Sequence, residues 1–331
     1  MRIAIVKLSA LGDIVHAMVV LQFIKKFNKE ISIDWIVDES YKDLLELNPD
    51  INKVHLINIK QAKKNKSLLA LYREFKKVRK LSPYDLVIDM QGLLKSAIVS
   101  RLISSSITLG FDKFSVRERF ASIFYDKTFQ CPYEKNIIER NLALIEYAIG
   151  ASFNLKLIDY KVPFLYSSKK KLNIPLSESK KNILIIPGAS HVSKRYPVSK
   201  FVKLTKLIDA IFVVVWGSED EEILAKKIKE NSHNVYICDK LQLDSLILLI
   251  SRVDLVIGPD TGPTHMAWSL NIPSITLFGS TPGYRNAFET SNNRIIESDS
   301  KVNPIKIDKG DYSIKNIDVQ EVLSAAEELL G

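Results

Sequence analysis

Asp260-Thr261-Gly262-Pro263-Thr264-His265 carries several groups that can meet an anion. It follows the apolar, β-branched run Val253–Ile257 and precedes another, Ser274–Phe278. That spacing predicts strand, tight turn, a short helix over Thr264–Leu270, and strand. The first N–H groups of a helix lack intrahelical partners, and the helix dipole adds positive charge, so such a turn suits phosphate capture. Gly262 has no Cβ and lets a ligand approach the backbone. Pro263 costs nothing at a first helical position. Thr261, Thr264 and His265 add side-chain donors. An ordinary βα unit of a parallel sheet reads the same way, so this turn alone fixes no function.

Three other loops could contribute. Lys7-Leu8-Ser9-Ala10-Leu11-Gly12-Asp13 follows the first strand, and Asp13 stands where a helix should start. Two roles are open to it: a helix cap worth about 1 kcal/mol, or a general base beside an acceptor hydroxyl. His16, one turn further on, reads as a packing residue. In Pro187–Pro197, Ser190 and Lys194 are placed to meet phosphates, and a lysine–phosphate bond is about twice as strong as a neutral one. An incidental surface loop is the other reading. The acids of Trp216–Glu222 suit a helix N-terminus, and one of them could also accept from a sugar hydroxyl. Absent are a G-x-G-x-x-G fingerprint, a P-loop, an Asp-x-Asp metal pair, zinc-ligand spacing and a G-x-S-x-G elbow. No metal and no cofactor are therefore expected; Lys194, hydroxyls and helix N-termini would neutralise a diphosphate.

Those loops need a frame, and the chain supplies it by alternation. Strands are expected at residues 1–7, 32–37, 53–59, 84–90 and 106–111, with helices at 13–27, 39–47, 67–80, 93–103, 117–125 and 136–149. Residues 150–180 break the rhythm with prolines and the run Ser167–Lys171. It then restarts at Asn182–Ile186 and ends in an amphipathic helix, Val319–Leu330. The pattern predicts an α/β fold of two Rossmann-like, doubly wound domains facing across a cleft. The expected parts are an N-terminal domain over 1–165, a linker over 166–180, a C-terminal domain over 181–315 and a final helix over 316–331. A length of 331 residues suits two domains. Ligands in such sheets bind beyond the carboxyl ends of the strands.

The net charge of +9 admits nucleic acid, an anionic membrane or a phosphorylated substrate as partner. Much of the excess lies between Lys60 and Lys80, which is also how a solvated helix face looks. Nothing interleaves aromatic and basic residues as a nucleic-acid-binding sheet does, so no nucleic-acid partner is expected. No apolar run approaches the roughly 18 residues a membrane span needs. MRIAIVKLSALGD enters a strand without a secretory-signal pattern. Cys131 and Cys238, far apart in sequence, suit a reducing cytosol.

Taken together, MRIAIVKLSALGDIVHA, YDLVIDMQGLLKSA at 84–97, the Lys194 loop, DLVIGPDTGPTHMAWSL and PSITLFGSTP resemble the lipopolysaccharide heptosyltransferases, in the branch that adds the first heptose. The resemblance spans nearly the whole chain in order. It implies a GT-B architecture and an inverting transfer from ADP-L-glycero-β-D-manno-heptose to the inner Kdo of Kdo-lipid A. The enzyme would be a monomer, peripheral on the cytoplasmic face of the inner membrane. Asp13 would be the base. Lys194, Thr261 and Gly262 would hold the diphosphate, with Asp260 and His265 in the donor site. Glu221, or its neighbour Glu222, would lie near the nucleoside. Leu241 stands where relatives often carry Met beside the adenine. Ala189-Ser190 replaces a Thr-Thr pair, leaving one hydroxyl, on Ser190. Ser9, Gly12, Lys63, Lys64 and Arg117 would serve the acceptor, with Lys95 as a weaker candidate. The alternatives are heptosyltransferase II or another ADP-sugar transferase of this fold. A catalytically silent nucleotide-sugar binder and a basic nucleic-acid-binding protein are the rivals from other classes.

Overall fold

The β-branched runs form strands and the amphipathic stretches between them form helices. In a computed structural model describing residues 1–331, they make two compact units, Met1–Lys161 and Val162–Gly331.

The first unit runs β1 (Arg2–Val6), α1 (Leu11–Met18), α2 (Val20–Phe27), β2 (Ser32–Asp38), β3 (Lys53–Ile57), α3 (Ile59–Lys64), α4 (Leu68–Arg79), β4 (Tyr84–Asp89), α5 (Leu94–Leu102), β5 (Ser105–Phe111), β6 (Lys127–Phe129) and α6 (Ile137–Ile149). The sheet order is β3-β2-β1-β4-β5-β6, parallel throughout. Ile3 to Val6 are completely buried, as a strand covered on both faces must be. The chain winds outward from β1 to β3 and then returns to β4 on the other side. The strand order therefore reverses between β1 and β4, and it is beyond the carboxyl ends of strands at such a reversal that sheets of this kind bind ligands.

The second unit repeats the plan: β7 (Asn182–Ile185), α7 (Val198–Leu207), β8 (Ile211–Val214), α8 (Glu219–Glu230), β9 (Val235–Ile237), α9 (Leu243–Ile250), β10 (Leu255–Pro259), α10 (Gly262–Ser269), β11 (Ser274–Phe278), α11 (Gly283–Asn286), β12 (Asn293–Glu297) and α12 (Val319–Leu330). Its order is β12-β11-β10-β7-β8-β9, again parallel, so the reversal falls between β7 and β10. Val319, Val322, Leu323 and Ala326 of α12 join the core formed by β7, β8, β10 and β11.

Several elements depart from the sequence expectation. The helix expected over 13–27 begins earlier, at Leu11, and is interrupted at Val19. Val19 keeps right-handed backbone angles (φ −57°, ψ −28°), so the break is a lapse in hydrogen bonding, not in conformation. The helix expected over 39–47 is a 3₁₀ turn, Glu39–Leu44, capped by Asp38 accepting from the Ser40 N–H at 3.1 Å. That expected over 117–125 is another, Arg119–Phe124. Helix α3 was not anticipated, although Asn58 marks its start by accepting from the Gln61 N–H at 3.2 Å.

Candidate functional site

In the second unit the loops after β7 and β10 meet where the strand order reverses. The first carries Lys194, the second Asp260. Lys194 Nζ lies 2.7 Å from Asp260 Oδ2, and both side chains are nine-tenths buried. Thr281 Oγ1 donates to the same oxygen at 2.8 Å. His265 Nε2, from one turn into α10, lies 2.9 Å from Asp260 Oδ1. Burial would raise the Asp260 pKa, but the charge on Lys194 and the bond from His265 overcome it and hold the carboxyl well below the usual range. Asp260 is thus a fixed anion that ties three donor groups together rather than a ligand turned outward.

The start of α10 supplies what Asp260 does not. The N–H groups of Thr264 and His265 both turn to the Thr261 carbonyl, at 3.1 and 3.3 Å. Those of Thr261 and Gly262 have no partner within the chain. The Thr261 side chain does not cap the helix either. Two amides and a hydroxyl therefore remain for an anion beside the Lys194 ammonium. Thr264 drops out as a donor, because its hydroxyl is already given to the Pro259 carbonyl at 2.9 Å. Pro263 occupies the second helical position, not the first.

Glu221 also reaches the strand ends. Its Oε2 accepts from the Gly217 N–H at 2.8 Å, in the turn after β8. A Cβ on Gly188, after β7, would fall 2.2 Å from its carboxyl carbon, so only glycine leaves room for it there. Glu222 instead pairs with Lys226 at 2.8 Å along α8. Of the two acids, Glu221 is the one at the strand ends. The Trp216 indole donates to the Cys238 carbonyl at 2.8 Å. Leu241 is half-buried between β9 and α9, while Ser190 is exposed and makes no hydrogen bond.

In the first unit the loops after β1 and β4 are joined by a residue the sequence did not single out, Gln91. Its Oε1 accepts from the Leu8 N–H at 2.7 Å and the Ser9 N–H at 3.3 Å, and its Nε2 donates to Ser9 Oγ at 3.1 Å. Lys95 Nζ donates to the same hydroxyl at 2.9 Å. Asp89, wholly buried, fixes the backbone behind Gln91 by accepting the N–H groups of Gln91 and Gly92 at 2.8 and 3.1 Å. Gly92 takes φ +67°, which its missing Cβ permits. Burial pushes the Asp89 carboxyl up, against these bonds and one from the Tyr125 hydroxyl at 2.8 Å. The sequence cues were its position after a strand end and its place within the stretch YDLVIDMQGLLKSA, neither of which assigned it a role.

Asp13 is the third residue of α1, one past Gly12. Its Oδ2 accepts from the Ala10 N–H at 3.3 Å, while the residue stays exposed. A long bond to one oxygen leaves the other open to solvent or substrate. The phenol of Tyr41, raised first by burial, also feels the charges of Asp38 and Asp13. Burial lowers the Lys95 pKa; Asp38 opposes this, and Lys63 and Lys60 add to it. Lys63 therefore lies within electrostatic reach of the Ser9 loop. Lys64 and Arg117 are exposed and form no hydrogen bond or ion pair with it. No three His, Cys, Asp or Glu side chains gather as a metal site.

The model of glycosyltransferase family 9 (heptosyltransferase) matches residues 71–309. The lipopolysaccharide heptosyltransferase 1 of Campylobacter coli is 42% identical over 347 aligned residues, covering 100% of this chain and 99% of that one. Among solved structures, the E. coli heptosyltransferase WaaC with ADP superposes with a TM-score of 0.82 at 24% identity, over 99% of this chain and 100% of that one. WaaC with ADP-2-deoxy-2-fluoro heptose gives 0.77 at 23% identity, over 99% of each chain. The two parallel six-stranded sheets are thus those of the GT-B heptosyltransferases.

Proposed function

The chain belongs to glycosyltransferase family 9, the heptosyltransferases, and we propose that it moves L-glycero-D-manno-heptose from ADP-heptose to the inner Kdo of Kdo-lipid A, with inversion. In this reading the second unit holds the donor and the first the acceptor. The diphosphate lies against Lys194, the amides of Thr261 and Gly262 and the start of α10, which balance its charge as the sugar leaves. Asp260 stays behind Lys194 and His265 and keeps them aimed. Glu221 accepts from ribose hydroxyls, Leu241 lies against the adenine, and Ser190 offers a further hydroxyl. Asp13 takes the proton of the acceptor hydroxyl while its oxygen attacks the anomeric carbon. The bond to the diphosphate oxygen breaks on the opposite face, and ADP departs with that electron pair. Ser9 and Gly12 shape the acceptor loop, and Lys63, Lys64, Lys95 and Arg117 meet acceptor carboxylates and phosphates.

The observation that carries this reading is the buried Lys194–Asp260 pair beside two partnerless amides at the chain's second strand reversal. No helix is long and apolar enough to cross a membrane. A peripheral place on the cytoplasmic face of the inner membrane, as a monomer, completes the proposal. The test is incubation with ADP-heptose and Kdo-lipid A, with and without EDTA, read by mass spectrometry. A gain of one heptose in both arms is expected. Extension only of acceptor that already bears a heptose would reassign the chain to the second transfer step, that of heptosyltransferase II.

A further inference from the structure

The first unit carries an apolar surface that its own fold leaves uncovered. In α4, Leu71, Phe75 and Val78 face inward against β1, β4 and α5. The outer face opens with Leu68, 83% exposed, Leu69, 59%, and Tyr72, 61%. Positions three and four residues apart lie on one side of a helix, so Tyr72 joins both Leu69 and Leu68 in a single patch. Helix α4 packs on α5, and α5 packs on the 119–124 turn. There Phe120 is 76% and Ile123 72% exposed, with Phe114 at 65% just before them. These six include most of the unit's most exposed large apolar side chains. Glu118 accepts from the Leu94 N–H at 2.6 Å, tying this segment to the start of α5.

Cations surround the patch. Lys63, Lys64 and Lys66 precede Leu68, and Arg73 and Lys76 follow Tyr72, all exposed. Arg117 and Arg119 flank the second group. The starts of α4 and α5 also lie at the carboxyl-end side of the sheet, where Ser9 and Asp13 are found. Exposed apolar side chains ringed by lysine and arginine match the chemistry of an interface between anionic headgroups and acyl chains. Each cation near such a surface adds about 1 kcal/mol of attraction.

We propose that the outer face of α4 and the 114–124 segment together dock on an anionic phospholipid bilayer, with Leu68, Leu69, Tyr72, Phe120 and Ile123 entering the headgroup region. The inference deepens the membrane-surface reading above and rests on it for its biological sense, while its physical basis is the patch itself. Binding would set the Asp13 loop at the height of a lipid-linked acceptor.

The full chain is sedimented with vesicles of phosphatidylethanolamine and phosphatidylglycerol, and with phosphatidylcholine vesicles, at physiological salt. Binding to the anionic vesicles alone is expected. The triple variant Leu68→Ser, Leu69→Ser, Tyr72→Ser and, separately, the double variant Phe120→Ser, Ile123→Ser should each weaken it about tenfold or more. Transfer to detergent-dispersed acceptor should be unchanged in both. Failure of the unaltered chain to bind, or binding that neither variant weakens, overturns the proposal. So does a solution dimer that the triple variant dissociates, since the patch would then be covered by a second copy. A chain that binds vesicles yet transfers nothing upholds the docking surface and sinks the proposed reaction instead.

Discussion

Lys194 Nζ meets Asp260 Oδ2 at 2.7 Å across 66 residues of sequence. The two ride on the loops after β7 and β10, the neighbouring strands between which the chain reverses. The topology therefore builds the pair before any ligand arrives. A cation in place, with its own counter-ion behind it, need not reorganise when a diphosphate docks, and preorganised charge of this kind is what stabilises a departing anion.

Asp260→Asn should expose the cost of that arrangement. It leaves the buried Lys194 ammonium without its counter-charge, a loss on the order of 3–5 kcal/mol, read from urea unfolding. The pH dependence has a definite sign. The folded-state pKa lies below the ordinary 3.8, so the carboxylate's contribution is complete above about pH 4 and is lost as pH falls further. The variant should lack that part of the acid slope. A variant as stable as the parent at pH 7 would mean that the pair is not held as described.

Glu221 and Glu222 make an internal control. Glu221→Gln removes a charged acceptor at the strand ends, and the ADP-heptose KM should rise between about tenfold and a hundredfold. Glu222→Gln touches only Lys226 on the flank of α8 and should leave that KM unchanged. Equal effects from both would remove Glu221 from the donor site.

The fold was legible because both sheets are buried on two faces and announce themselves as apolar runs. Val253–Ile257 and Ser274–Phe278 needed no tertiary information. The two short 3₁₀ turns read as longer helices, and β6 was not legible at all, since a strand of three residues has no period to read. In the site, Asp260, Lys194 and Thr261 stood out because charge and turn residues fall at strand ends. Gln91 did not, because its role depends on reaching the Leu8 and Ser9 amides 83 and 82 residues away, which no local spacing encodes. Thr264 misled for the complementary reason: its hydroxyl is spent on the carbonyl of Pro259.

Asp34 should govern a separate part of the acid response. It is fully buried and accepts from Arg2 Nη2 at 2.7 Å, Asn52 Nδ2 at 2.8 Å and the Tyr84 hydroxyl at 2.6 Å. Burial alone would raise its pKa; these bonds bring it from 3.8 to about 2. Its contribution is full above pH 4 and disappears as pH falls toward 2, amounting to about 2.5 kcal/mol. Acid titrations of the parent and Asp34→Asn should therefore differ in slope within that window. Parallel curves would show that the carboxylate is not held in this network.

The last expectation separates chemistry from loop geometry. If Asp13 takes the acceptor proton, Asp13→Asn keeps the bond to the Ala10 N–H and most of the shape of α1 but cannot accept a proton. Turnover should fall about 10²–10⁴-fold while the ADP-heptose dissociation constant, set in the other unit, stays the same. Gln91→Leu leaves Asp13 chemically intact but removes three hydrogen bonds to Leu8 and Ser9. It should lower kcat and raise the acceptor KM together, because the loop that presents Asp13 is no longer pinned. Combining the two substitutions should cost little more than Asp13→Asn alone, since positioning a base that has already been removed contributes nothing. Fully multiplicative losses in the double variant would mean that Gln91 acts independently of Asp13, and unaltered turnover in Asp13→Asn would take the aspartate out of the reaction.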